Sequence, residues 1–122
     1  MPADLKLEAL SDSMVQGHFH VLNRRVEEAV LLQRPDFADP LTFEIMRDPV
    51  LTSDGQMYDR KNIESHFQER RREGQHLTSP LTNLIILETL TPVHIVRDGI
   101  CTALKAEKEK LRAEVATIVN SW

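Results

Sequence analysis

LTFEIMRDPVLTSDGQMYDR, residues 41–60, carries more structural information than any other stretch of this 122-residue chain. Leu41 and Phe43 alternate with Thr42 and Glu44, so an extended backbone points both apolar side chains the same way. Pro49-Val50-Leu51-Thr52 and Gln56-Met57-Tyr58 are short strand candidates flanking Ser53-Asp54-Gly55. Asp-Gly between strand-like runs signals a hairpin, because glycine takes the positive φ such a turn requires. Asp59 then fits a helix N-cap, and Ile63, His66, Phe67 and Arg70 trace one helical face. Phe67 and Ile45 are expected in the core. Gly74 suits the position that ends the helix.

On the N-terminal side, residues 1–11 read as frayed. Ser13-Met14-Val15-Gln16 has the form of a capping box, which satisfies free amides at a helix start. Val15, Phe19, Leu22, Val26 and Ala29 recur by fours and threes, which predicts an amphipathic helix over 12–34 with a coiled-coil-like stripe. Pro35 stops it, since the residue before a proline disfavours helix. Whether that stripe packs on its own domain or forms a dimer seam is open. Residues 36–48 read as a loop in which Asp39-Pro40 initiates a turn.

On the C-terminal side, HLTSPLTN (76–83) is a second loop, and Leu84–Leu87 reads as a buried strand. Pro92 marks the edge of a last helix expected to bury Ile95, Val96, Ile100, Cys101 and Leu104. Continued to Trp122, the helix carries Cys101, Leu104, Lys108, Leu111, Val115, Ile118 and Trp122 at alternating threes and fours. No repeat is evident at solenoid periods.

Composition excludes several classes. A formal charge of −4 argues against a nucleic-acid partner, and acidic or polar neighbours dilute the basic cluster at 68–72. No run approaches the ~20 apolar residues of a membrane span. The N-terminus lacks the basic start and apolar core of a secretory signal. Cys101 is the lone cysteine, so no intramolecular disulfide can form, and the cytosol or nucleus is the expected setting. His18, His20, His66, His76 and His94 are scattered and cannot assemble a cross-brace of zinc sites. No phosphate loop, Ser/His/Asp signature or HExxH motif is present. The expectation is a chain with no metal, no cofactor and no covalent nucleophile of its own.

Residues 37–100 resemble the U-box, the zinc-free relative of the RING domain found in ubiquitin ligases. The resemblance runs through Leu41, Phe43, Glu44, Ile45, Met46, Asp48, Pro49 and Val50, then Gly55, Tyr58, Asp59, Arg60, Ile63 and Glu64, and ends with Pro80, Thr82, Leu90 and Pro92. It implies an α+β fold in which a small hairpin or three-stranded sheet and a central helix occupy residues 36–104. An N-terminal helix precedes this domain and a helical extension, 105–122, follows it. By the same resemblance a clasp of Glu44, Arg47, Asp48, Asp59, Arg60 and Glu64 replaces the zinc clusters. Leu41, Phe43, His66 and Pro80 would dock a ubiquitin-conjugating enzyme carrying ubiquitin as a thioester. Asn83 stands where many members place a basic residue that positions ubiquitin. Transfer to a lysine of a protein substrate would need no covalent ligase intermediate. A homodimer through the flanking helices is a further implication. Val93 replaces the usual asparagine after Pro92 and has no side chain to cap the next helix. The competing reading is a U-box-like interaction or dimerisation module that does not promote transfer.

Overall fold

In the computed structural model of the protein, which describes residues 12–120 and side chains from residue 23 onward, the Asp-Gly turn does close a hairpin. Gly55 sits at φ 81°. Its N–H donates to the Thr52 carbonyl and the Thr52 N–H to the Gln56 carbonyl, both at 3.0 Å. That is the three-residue hairpin loop in which a left-handed residue follows a type I turn. The hairpin joins β1 (Pro49–Leu51) to β2 (Met57–Asp59), with Val50 opposite Tyr58. On the other side of β1 lies β3 (Thr91–Pro92), antiparallel, with Val50 opposite Pro92. Both prolines fall where a sheet tolerates a missing donor: Pro49 begins its strand and Pro92 lies on an edge.

Helix α1 (Asp12–Gln33) precedes the sheet, α2 (Arg60–Arg72) follows β2 without a break, and α3 (His94–Asn120) follows β3. Residues 34–101 make up one compact unit, and α1 with the chain after Cys101 makes up another. In the first unit, Ile63 and Phe67 of α2 join Val50, Tyr58 and Ile86 in a buried cluster bordered by Leu77 and Leu90. Burial stabilises each such side chain by about 1.5–3 kcal/mol. Ile45, expected in the core, is buried too. The last turn of α2 carries Arg70, Arg71 and Arg72, which suits the negative end of the helix dipole. Gly74, at φ 68°, closes the helix: its N–H reaches the Arg71 carbonyl and the Gln75 N–H reaches that of Arg70. In the second unit, Val26 and Val30 of α1 are buried, and Gln33 Nε2 donates to Glu107 Oε1 at 3.0 Å. The Ser13 capping box and the side chains of Val15, Phe19 and Leu22 lie outside the described residues.

Three expectations need correction. Leu84–Leu87 is not a buried strand: only Ile86 is buried, while Leu84, Ile85 and Leu87 are exposed. The Ile86 N–H bonds to the Leu77 carbonyl, and that register turns residue 86 inward and its neighbours out. In α3, Ile95 and Cys101 are exposed. The covered face runs instead through Val96, Ile100, Leu104, Glu107 and Leu111. Gly99 faces Phe37 on this side: a methyl placed on it would meet Phe37 Cζ at 3.5 Å. At the start of α3 the Val93 N–H donates to the Pro49 carbonyl and its own carbonyl accepts the Arg97 N–H; neither bond supplies the side-chain cap that valine lacks. Finally, Asp59 occupies the N-cap of α2 without capping it through its side chain.

Candidate functional site

Residues 37–46, FADPLTFEIM, and 77–86, LTSPLTNLII, are the same loop built twice. In the first, the Asp39 N–H donates to the Glu44 carbonyl (2.7 Å), Phe43 N–H to Asp39 (2.8 Å) and Met46 N–H to Phe37 (2.9 Å). In the second, Ser79 donates to Leu84 (2.9 Å), Asn83 to Ser79 (2.7 Å) and Ile86 to Leu77 (2.9 Å). Thr42 and Thr82 each accept the N–H two residues on. One residue of each loop, Phe43 at φ 61° and Asn83 at φ 59°, takes the left-handed conformation. Asparagine is at ease there; a bulky aromatic is not. The two copies lie 40 residues apart, within the range of solenoid periods, so the expectation of no repeat there is corrected: a ten-residue loop, though no whole structural unit, recurs.

The two loops are pinned by different chemistry. Asp39 is fully buried and its carboxylate takes three donors: the Leu41 N–H on Oδ1, and the Asp59 N–H (2.8 Å) and Asn62 Nδ2 (3.0 Å) on Oδ2. In the second loop the Tyr58 hydroxyl takes over, accepting the Leu81 N–H at 3.0 Å and lying 2.8 Å from Ser79 Oγ. Asn62 thus reaches the first loop, and His66 Nε2 meets the Thr78 carbonyl of the second at 2.9 Å. Four residues apart, Asn62 and His66 share one face of α2. Both loops therefore flank that face.

The residues singled out from the sequence lie on the two loops and on the α2 face between them. Leu41 is 37% exposed and Phe43 77%, while His66 and Pro80 are half-buried and Asn83 is exposed. The charged residues divide. Arg60 Nε donates to Asp48 Oδ2 at 2.8 Å, its Nη1 lies 3.7 Å from Glu64 Oε1, and its N–H donates to the Asp48 carbonyl. The Asp48 hydrogen bond raises the Arg60 pKa against the opposing effect of burial. Side-chain exposures from 33% to 52% leave this a screened pair of modest strength. Asp59 Oδ1 accepts the Arg47 and Asp48 N–H groups. The Glu44 carboxylate is exposed and has no ion pair among the described residues; its carbonyl, not its charge, serves the loop.

A U-box domain match covers residues 35–109, more than half of the chain. The chain belongs to the U-box family. It is 35% identical over 91 residues (73% of this chain) to the human WD repeat, SAM and U-box domain-containing protein 1. It is 40% identical over 79 residues (62%) to U-box domain-containing protein 13 of Arabidopsis thaliana. It is 32% identical over 112 residues (90%) to Ubiquitin conjugation factor E4 of Schizosaccharomyces pombe. The matched region spans 18%, 11% and 11% of those three relatives, a small part of each. In this U-box, hydrogen bonds from Asp39, Asp59, Tyr58 and Ser79 brace the loops, and no cluster of metal-binding side chains occurs among the described residues.

Two consequences for stability follow from the bracing. Tyr58→Phe leaves the Leu81 N–H and Ser79 hydroxyl without their partner, at a cost of about 2 kcal/mol in denaturant unfolding. A loss below ~0.5 kcal/mol would mean the second loop is held by something else. Asp54 supplies an acid-sensitive tie. Burial pushes its carboxyl up, but hydroxyls of Thr52, Thr82 and Ser79 outweigh that and hold it below the ordinary carboxylate value. A folded-state pKa below the unfolded one gives stability that is complete above the unfolded value and is lost as pH falls through the folded one. Unfolding curves below pH ~4 should therefore steepen for the wild type relative to Asp54→Asn. Parallel acid limbs would count against the tie.

Proposed function

We propose that this U-box docks a ubiquitin-loaded conjugating enzyme on its loop pair and promotes transfer of ubiquitin to a substrate lysine. The observation carrying this reading is Phe43, an aromatic held in the left-handed region at 77% exposure. It adds nothing to the core, and such strain collects at binding sites rather than in neutral loops. Leu41 of the same loop, Pro80 of the second loop and His66 of the helix between them are assigned to the same docking surface. A relative whose name includes ubiquitin conjugation supports the chemistry. The thioester and the attacking amine belong to other proteins; docking restricts their relative orientation, and the U-box forms no covalent intermediate. Asn83 offers an amide donor toward ubiquitin, and its backbone φ favours asparagine over a longer basic residue. The clasp, in this reading, is Asp48, Asp59, Arg60 and Glu64 acting with Asp39. A homodimer through α1 and α3 is proposed from apolar side chains these helices leave exposed, Leu32, Val115 and Val119, and a cytosolic or nuclear setting from the lone cysteine.

The second reading, a non-catalytic interaction module, draws on the missing positive charge at Asn83. Discharge of ubiquitin from a panel of thioester-loaded conjugating enzymes separates the two. Acceleration by the wild-type chain supports transfer. Binding without acceleration on every enzyme of the panel supports the module, and neither binding nor acceleration removes the docking proposal.

A further inference from the structure

We infer that Asn62 is a positioning residue: by holding the buried Asp39 carboxylate it fixes where Leu41 and Phe43 stand relative to α2. This rests on the docking reading above. Asp39 uses three of its groups inside its own loop. Its N–H goes to Glu44, its carbonyl takes the Phe43 N–H, and Oδ1 takes the Leu41 N–H. Only Oδ2 reaches outside, to the Asp59 N–H and to Asn62 Nδ2. The Asp59 donor is main chain and survives any substitution there. The Asn62 donor exists because of the side chain at that position.

Several features separate Asn62 from a core residue. It is half-buried, its side chain bonds only to Asp39 among the described residues, and Ile63 and Phe67 carry the packing of α2. Removing its amide therefore takes little apolar contact from the fold. The loop would stay closed through its own three hydrogen bonds while losing one of its two outward ties. Its apolar edge would then drift from the helix face, where His66 holds the second loop. Docking that needs both loops in register weakens. Saturated turnover does not, because a bound conjugating enzyme re-imposes the geometry.

Sign and size can be read together. Asn62→Ala deletes the tie. Asn62→Asp, close to isosteric, sets a second carboxylate against Asp39, where like charges repel. Asn62→Gln keeps an amide on a longer arm. The experiment titrates an unloaded conjugating enzyme that the wild type binds, and then measures discharge of the same enzyme loaded with ubiquitin. Both are run at a temperature where circular dichroism shows each variant folded. Expected is a Kd raised about tenfold by Asn62→Ala and further by Asn62→Asp, partly recovered by Asn62→Gln, with kcat at saturation unchanged. Should Asn62→Asp not fold, the alanine and glutamine variants carry the comparison. Wild-type Kd in Asn62→Ala, beside impaired binding by Leu41→Ala, would overturn the inference and leave the docking reading intact. Wild-type binding by Leu41→Ala would remove the docking reading and this inference with it.

Discussion

Asp39→Ala should cost this U-box about 3–6 kcal/mol, most of the stability of a small domain. The substitution strips the partner from two main-chain N–H groups, of Leu41 and Asp59, and from the Asn62 amide. The Asp59 donor is buried and the other two are part-buried; an unsatisfied buried donor costs about 1–3 kcal/mol, and less where water reaches it. Asp39→Asn is the instructive control. It keeps the shape and one acceptor oxygen but turns an NH2 toward donors, so it should fall between alanine and wild type. Urea unfolding with unchanged m-value would measure both. A loss under ~1 kcal/mol for alanine would show that the loop closes without its carboxylate, and the bracing scheme would have to be abandoned.

That residue also marks the limit of what the sequence revealed. The hairpin, the central helix and its glycine stop were legible because each rests on local chemistry: an Asp-Gly turn, the spacing of Ile63 and Phe67, a left-handed Gly74. Asp39 was visible only as a turn initiator before proline, since nothing local says that its carboxylate is buried beneath β2 and α2. Comparing DPLT at 39–42 with SPLT at 79–82 would have exposed the duplicated loop, and with it the parallel roles of positions 39 and 79. Leu84–Leu87 misled for the opposite reason. Four aliphatic residues in a row suit a buried strand, yet the loop's own hydrogen bonds admit Ile86 alone. Cys101 and Ile95 missed the covered face of α3 because the helix turns Val96, Ile100 and Leu104 inward, a choice among apolar neighbours that the spacing alone does not make. Among the residues proposed for a clasp, Arg60 pairs with Asp48 and Glu64 as their charges suggest, whereas Glu44 contributes its carbonyl. Charge complementarity can be read along a chain; which backbone groups need a partner cannot.

Phe43→Asn should raise stability while weakening docking. At φ 61° the phenylalanine pays a conformational penalty of about 1–2 kcal/mol that asparagine largely avoids, as Asn83 does at φ 59° in the matching loop. Because the ring is mostly exposed, its loss removes little burial. The melting temperature is then expected to rise by roughly 4–8 °C for each kcal/mol recovered in a domain of this size. Binding moves the other way. Loss of a central apolar anchor commonly costs about 2 kcal/mol or more, close to a 30-fold rise in Kd for the conjugating enzyme. Leu41→Ala should show a comparable loss of binding and transfer with no thermal gain, since residue 41 is not held at positive φ. The contrast isolates the strain. If the strained aromatic serves docking, the two effects of Phe43→Asn appear together. A lowered melting temperature would show that the aromatic supports the fold after all. Unchanged affinity with a raised melting temperature would leave the strained conformation without a purpose, and the docking edge would have to be sought elsewhere on the domain.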